Sequence, residues 1–511
     1  MRTLLNCVCA AALFAAGPAH ANWYKASSKH FVIYADESPK QLSEFATKLE
    51  RFDEAVRFVR NMDDPPVGDG NRLTVFVMPT VATIQRLAGD RFVSGFYTGR
   101  ESGSLAFVPR KSAFDSAGGM DADIIFFHEY AHHLMFQTVS QPLPEWLVEG
   151  FAEFMSTVRF ERDGHVGIGA PAQHRAYSLL LGQQLPLETL LAGNYKKISE
   201  EQRESIYGRG WLLVHFLTFE PSRSGQLDKY ANFLADGVPS LDAARKAFGD
   251  LKQLDHDLND YLRRNRLLYW KLPGEKFPAP PVSVQPLSEG AGKVILLRAQ
   301  SRKGVDEKSA EPLAQEVREI EARYPGDELV ELTLSEAELD AGHPQASQAA
   351  AERALKANPR DTDALVLKGR AIEAAADKMT GPSREEAFRT ARAIFIDANK
   401  VDTEDPEPLY EYYLTYGKQG IAPTDNAIAA LHYASDLAPQ DTGVRMNSAI
   451  AYLHEGKLKE AKSTLSVVAY SPHGGDASDL AKRMMADIEA GNGKAALNEA
   501  DTAASSHASS R

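Results

Sequence analysis

Five prolines mark the second half of this chain at a nearly regular step. Pro325, Pro359, Pro406, Pro439 and Pro472 follow one another at intervals of 34, 47, 33 and 33 residues. A period near 34 residues suits one pair of helices with its turns, stacked on the next pair. Segments such as ARYPGDELVEL, KANPRDTDALVLKG and LAPQDTGVRMNSAIAYLHEGKLKEAKSTL share this texture. The pattern predicts an all-α array over residues 292–490, with an insertion around Lys378 to Arg384 in the long interval. Gly369, Gly456 and Ala461 fit the small-residue positions where paired helices approach closely. Residues 491–511 are rich in Ala and Ser and are expected to be disordered.

A chain of 511 residues exceeds one ordinary core, so two or three domains are expected. The net charge of -13 argues against a nucleic-acid partner, whose affinity comes from clustered Lys and Arg. Residues 1–21 read as a secretory signal. Arg2 is the positive start, Leu4 to Ala16 the apolar stretch, and Ala19-His20-Ala21 the small-x-small cleavage site. The expected location is therefore outside the cytoplasm, periplasmic or secreted. No later stretch is long and apolar enough to span a membrane. Cys7 and Cys9 are the two cysteines. Cleavage before Asn22 removes both, so any metal site in the mature chain must use His, Asp and Glu.

Residues 22–115 read as α+β. His30 to Tyr34 and Arg72 to Val77 alternate like strands. Between them, Leu42, Phe45, Leu49, Phe52, Val56 and Val59 recur at helical spacing. A hairpin is expected from Phe92 to Val108, with Gly99 and Gly103 in the turn and Pro109 ending its second arm at an edge. Residues 119–160 and 201–270 read as helices, Asp121 capping the first and Pro144 opening the next. Residues 273–291, rich in Pro, Gly and Ser, are expected to be an interdomain linker.

Residues 128–132 read His-Glu-Tyr-Ala-His. On a helix, positions i and i+4 differ by about 40° around the axis, so both imidazoles can face one ion. Glu129 projects beside them, placed to take a proton from water activated there. A catalytic tetrahedral zinc needs a third protein ligand and an open position. Glu149, in PEWLVEGFAEF, follows His132 after sixteen residues, on a second helix able to pack antiparallel to the first. Glu153 lies one turn further on the same face. His133 points about 100° away from His132 and is not expected to be a ligand.

HEYAHH followed by PLPEWLVEGFAEF resembles the gluzincin zinc peptidases, which pair HExxH with a glutamate ligand on the next helix. The Glu149-Gly150-Phe151-Ala152 run is similar to the ligand motif of the aminopeptidase N family. Glu153 matches the acidic residue by which thermolysin-like enzymes orient a ligand histidine. The chain as a whole resembles bacterial peptidase MA-like proteins, which are exported and carry tetratricopeptide repeats after the metal domain. Metzincins are disfavoured, because their extended motif would require Gly and His where Met135 and Thr138 stand.

The resemblance implies a multidomain chain. An α+β zincin-like domain over 22–272 is followed by the 273–291 linker and an all-α tetratricopeptide-repeat solenoid over 292–490. Within the first domain, 22–115 is the α+β part and 119–270 the helical zinc-site part. It implies a Zn2+ site at His128, His132 and Glu149, and peptide hydrolysis with Glu129 as general base. Glu153 would hold a ligand imidazole, His128 in particular. Tyr207, in YGRGWLLVHFL, is the candidate hydrogen-bond donor to the oxyanion. The strand from Ser104 to Val108 would be the edge that receives substrate backbone. His215 is expected to be a core histidine, and Arg209 to cap a turn. The partners implied are a peptide or protein substrate and a protein bound through the repeats. The alternative is a non-enzymatic adaptor of the cell envelope, whose repeats do the work and whose zincin domain is degenerate.

Overall fold

The computed structural model describes residues 23–508, apart from 92, 111–121, 139–142, 194, 196, 197 and 470–474. The signal at 1–21, the Asp121 cap, Phe92 and Pro472 lie outside the described residues.

The first strands are β1 (Tyr24–Ser27) and β2 (Phe31–Ala35). Helix α1 (Pro39–Arg60) starts at Ser38, whose side chain and that of Gln41 form a reciprocal capping box. After it come β3 (Leu73–Met78), α2 (Val81–Ala88), β4 (Phe96–Thr98) and β5 (Leu105–Pro109). Helices α3 (Ala122–Thr138) and α4 (Glu145–Ser156) carry His128, His132 and Glu149. A small sheet of β6 (Arg159–Phe160), β7 (Val166–Ile168) and β8 (Trp270–Leu272) encloses a helical excursion. That excursion comprises α5 (Ala176–Leu180), α6 (Leu187–Ala192), α7 (Glu200–Phe219), α8 (Gln226–Ala235), α9 (Ser240–Phe248) and α10 (Leu251–Leu262). Strand β9 (Ser283–Pro286) then returns to the main sheet.

The main sheet runs in the order β4-β5-β3-β2-β1-β9. Strands β2, β3 and β5 are parallel; β1, β4 and β9 join antiparallel. Every residue of β2 is buried, because both faces are covered. On one face Ile33, Val75 and Ala106 pack with Leu49 and Phe52 of α1 and Ala131 of α3. On the other, Tyr34, Phe76, Phe107 and Phe96 form a stacked aromatic row across four strands, with centroids 5.6, 5.5 and 4.5 Å apart.

That second face is closed by the first helix of the C-terminal half, α11 (Glu289–Lys303), through the fully buried Ile295 and Ala299. The two halves therefore share a core. Residues 273–291 are not a free linker: β9 pairs with β1 at the sheet edge, and α11 begins at Glu289. Proline there signals an edge as readily as a linker, since the edge position of Pro286 tolerates the missing N–H. The edge expected at Ser104 to Val108 is also displaced. Strand β5 lies inside the sheet between β3 and β4, and the short β4 is the true edge.

From α11 onward the chain is a stack of helix hairpins. In order they are α12 (Glu307–Glu321), α13 (Glu328–Asp340), α14 (Pro344–Ala357), α15 (Thr362–Ala376) and α16 (Gly381–Val401). These continue with α17 (Pro406–Gln419), α18 (Asp425–Leu437), α19 (Thr442–His454), α20 (Leu458–Ala469), α21 (Gly475–Glu489) and α22 (Gly493–Ala508). The long proline interval is absorbed by α16, 21 residues in length. Pro325, Pro359, Pro406 and Pro439 all stand where the first helix of a hairpin begins. Beside them Asp327, Asp361, Asp405 and Asp441 cap α13, α15, α17 and α19 by accepting a backbone N–H. Each such cap is worth about 0.5–2 kcal/mol. Gly369 is a close-approach position, with the Phe395 ring where a Cβ would be. Gly456 instead takes φ 75° in the turn after α19. The Ala-rich end is helical to Ala508, consistent with the helix preference of alanine, and Ala496 and Ala500 are buried. No helix among the described residues is long and apolar enough to cross a membrane.

Candidate metal centre

Helix α3 lies in the domain core through Phe126, Phe127, Tyr130, Ala131 and Leu134. Its remaining face carries His128 and His132, one turn apart. Helix α4 packs beside it and presents Glu149, which is fully buried. The Nε2 atoms of His128 and His132 are 3.1 Å apart. A Glu149 carboxylate oxygen lies 3.2 Å from the first and 3.5 Å from the second. Three ligands of a tetrahedral zinc at about 2.0–2.1 Å stand about 3.3 Å from one another, so these spacings fit.

The charge balance also fits a cation. Burial opposes ionisation of Glu149, yet the two imidazoles outweigh it and hold the carboxyl well below its usual range. Burial likewise opposes the charge on His128, but the Glu149 and Glu153 carboxylates push its pKa up to about 10. Among the described residues, the ion-pair partners of Glu149 are these two imidazoles. A divalent ion would take over from the imidazole protons as the counter-charge of Glu149.

Glu153 lies one turn beyond Glu149. Its carboxylate is 3.2 Å from His128 Nδ1, the ring nitrogen opposite the one that faces Glu149 and His132. Two further residues hold it in place. His174 Nε2 is 2.7 Å away, and Arg175 donates from Nη2 at 2.6 Å. Burial opposes the charge here too, but hydrogen bonds from His128 and His174 and the Arg175 charge keep the carboxyl well below its usual range. Neither His174 nor Arg175 is marked by the sequence. They sit in a short turn before α5, with no ligand-like spacing.

Tyr207 comes from α7, which is opened by a Ser199–Gln202 capping box. Its ring lies 6.1 Å from that of His128, and the Arg175 guanidinium stacks over it at 4.7 Å. Burial, and then the Glu149 charge, raises its hydroxyl pKa, so the phenol keeps its proton. Glu129 is half-buried on α3. Its charge reaches the half-buried Tyr97 of β4, whose pKa is raised by desolvation first and then by Glu129 and Asp441.

The remaining candidates have other roles. His133 bonds Tyr97 at 2.7 Å and Gln137 at 3.0 Å, away from the ligand cluster. His215 is a buried core histidine between the Gly169 carbonyl and the Tyr261 hydroxyl, both at 2.9 Å. Arg209 does not cap a turn; it bridges to Asp255 on α10.

A second grouping, His30, Asp53 and Asp64, also has metal-ligand residue types. It is already balanced from within the chain. His30 sits between Glu50 and Asp64 at 2.7 and 3.0 Å, Arg57 pairs with Asp53 at 2.6 Å, and Lys29 with Asp64 at 2.5 Å. Three carboxylates meet three basic groups, and the cluster ties β2 to α1.

No family model matches this chain, and no curated protein does. Among solved structures it is similar to a thermophilic TPR protein of Thermus thermophilus, at 18% identity. That match covers 38% of this chain and 97% of the other, with a TM-score of 0.33. It is also similar to MamA from Desulfovibrio magneticus RS-1, at 16% identity, over 36% of this chain and 96% of that one, with a TM-score of 0.26. The helix hairpins themselves, rather than these likenesses, define the C-terminal half as a helical solenoid.

Proposed function

We propose that this chain is an exported zinc peptidase whose metal is held by His128, His132 and Glu149, with protein as its substrate class. The observation that carries the reading is the trio of ligand atoms 3.1, 3.2 and 3.5 Å apart, with Glu149 buried against the two imidazoles. When bound, zinc would polarise a carbonyl and lower the pKa of water toward about 7. Glu129 would accept the water proton and return it to the leaving amine. Tyr207, neutral and beside His128, would donate to the oxyanion. Glu153, held by His174 and Arg175, would keep His128 in the tautomer whose Nε2 is free. The open side of β4 is the available strand for substrate backbone.

The repeats would serve protein recognition. The adaptor alternative needs the centre to be degenerate, whereas this chain retains the three ligands, Glu129 and the support of His128.

The deciding experiment combines zinc content with hydrolysis of an unfolded protein. Wild type should retain zinc, and His128→Ala and Glu149→Ala should lose it. Glu129→Gln should keep zinc and lose turnover. Unchanged zinc in both ligand variants, or undiminished hydrolysis by Glu129→Gln, would overturn the proposal.

A further inference from the structure

The hairpin that carries the edge strand ends in the solenoid. Arg100 donates to the carbonyls of Arg302 and Lys303, both at 2.6 Å, at the carbonyl end of α11. A cation there meets the negative end of the helix dipole. Arg302 in turn donates to the Ser102 carbonyl. The Glu101 backbone N–H donates to Asp441 at 3.0 Å. Gly99 packs so tightly that a Cβ would stand 2.9 Å from the Gln440 carbonyl oxygen. Gln440 and Asp441 belong to the same turn as Pro439. One of the residues that sets the repeat period thus marks where the solenoid grips the first half.

A line of hydrogen bonds continues from that grip into the core. The Gln440 amide donates to Ser104 Oγ at 3.2 Å, and the Tyr97 hydroxyl donates to the same oxygen at 3.1 Å. Tyr97 also meets His133 Nδ1 at 2.7 Å, and the Gln137 amide nitrogen meets His133 Nε2 at 3.0 Å. An amide nitrogen only donates, so His133 Nε2 accepts and Nδ1 carries the proton toward Tyr97. Ser104 Oγ accepts from both Gln440 and Tyr97, and the Tyr97 hydroxyl accepts from His133 Nδ1. The line ends on α3, one residue beyond His132. The Tyr97 hydroxyl feels the charges of both Glu129 and Asp441, one from each half of the molecule.

We propose that the solenoid positions the metal centre through this hairpin: Gln440 and Asp441 hold its tip, and Tyr97, bonded to His133, fixes edge strand β4 against α3 beside His132. Tyr97 is a positioning residue, acting through His133. The proposal rests on the metal-centre reading above and adds a means by which the repeats, or whatever binds them, alter the centre. The contacts are polar and directional, the kind that break without unfolding either half.

The test uses the full chain with Co2+ as the metal probe, because its visible spectrum reports ligand geometry. Tyr97→Phe keeps the ring and cuts the line; Gln440→Ala cuts it at the solenoid. Arg389→Ala, an exposed position on α16 outside the line, is the control. Hydrogen exchange over residues 96–109 is followed in parallel. Both line variants should bind Co2+ at wild-type stoichiometry with a shifted spectrum. Exchange of β4 in Gln440→Ala should quicken about fivefold, as expected for loss of a half-buried hydrogen bond. Spectra that superimpose on wild type while β4 exchanges faster would overturn the coupling and leave the centre standing. Absence of Co2+ from the wild type would instead remove the centre, and the proposal with it.

Discussion

Gly150 and Gly210 bring the backbones of α4 and α7 into direct contact. A Cβ on Gly150 would lie 2.5 Å from the Gly210 carbonyl, and one on Gly210 would lie 2.7 Å from the Trp146 carbonyl oxygen. This crossing stands one residue from Glu149 and one turn from Tyr207, so it sets how far the tyrosine stands from His128. Gly150→Ala and Gly210→Ala should each destabilise the protein by roughly 1–3 kcal/mol, the usual cost of overpacking. Thermal unfolding measures this directly. An unchanged melting temperature in both would show that the helices part without cost.

The support of His128 predicts a graded loss of metal. Glu153→Ala removes the carboxylate from His128 Nδ1 and leaves His174 and Arg175 without their shared acceptor. Metal affinity should fall about 10–100-fold, as is usual when an outer carboxylate is lost. Glu149→Ala should abolish binding. A competition titration with a chromogenic chelator separates the two. Equal losses would mean that Glu153 is a ligand rather than a support.

The cluster of His128, His132 and Glu149 is legible in the sequence in part because helix periodicity places the two imidazoles together. His128 and His132 need only the i, i+4 rule; Glu149 needs in addition its spacing and the resemblance to gluzincins, and Glu153 follows one turn later. The strands near His30 and Arg72 and the helix over 40–60 are legible from periodicity too. What escapes is set by distant contacts. His174 and Arg175 reach Glu153 from a turn with no periodic signal. Pro286 reads as linker because composition does not report that β1 lies alongside. Ser104 to Val108 reads as the edge because a hairpin's two arms are equivalent until a third strand pairs with one of them. The shared core is the largest omission: Ile295 and Ala299 look like ordinary solenoid positions, and only the tertiary arrangement lays them on the aromatic row.

Tyr207 predicts a kinetic signature. Its ring is near His128, and its hydroxyl remains protonated across the accessible pH range because burial and the Glu149 charge oppose ionisation. Tyr207→Phe keeps the ring beneath Arg175 but removes the donor. The variant should retain zinc, with kcat lowered about 10²–10³-fold and KM little changed, the behaviour of a donor that acts in the transition state. A rise in KM with kcat intact would assign Tyr207 to substrate binding instead.

Glu101 predicts how the grip on the hairpin responds to pH. Burial comes first among the causes that raise its pKa, followed by a hydrogen bond with the Asp441 side chain and by the Asp441 and Glu411 charges; together they push it up to about 8. In the unfolded chain the carboxyl titrates near its ordinary value of about 4.3. Because the folded pKa is the higher of the two, the docked hairpin favours the protonated acid. The resulting stabilisation is complete below the ordinary value and is lost as pH rises toward about 8. Above that, two carboxylates face each other across the contact between the halves. Protection of residues 96–109 against hydrogen exchange, after correction for intrinsic rates, should therefore weaken between about pH 5 and pH 8. Glu101→Gln keeps the hydrogen bond and removes the ionisation, so its protection should be flat over that window. A wild-type profile that is equally flat would place the shared proton elsewhere, while a Gln variant that still weakens would shift the titration to another group at the contact.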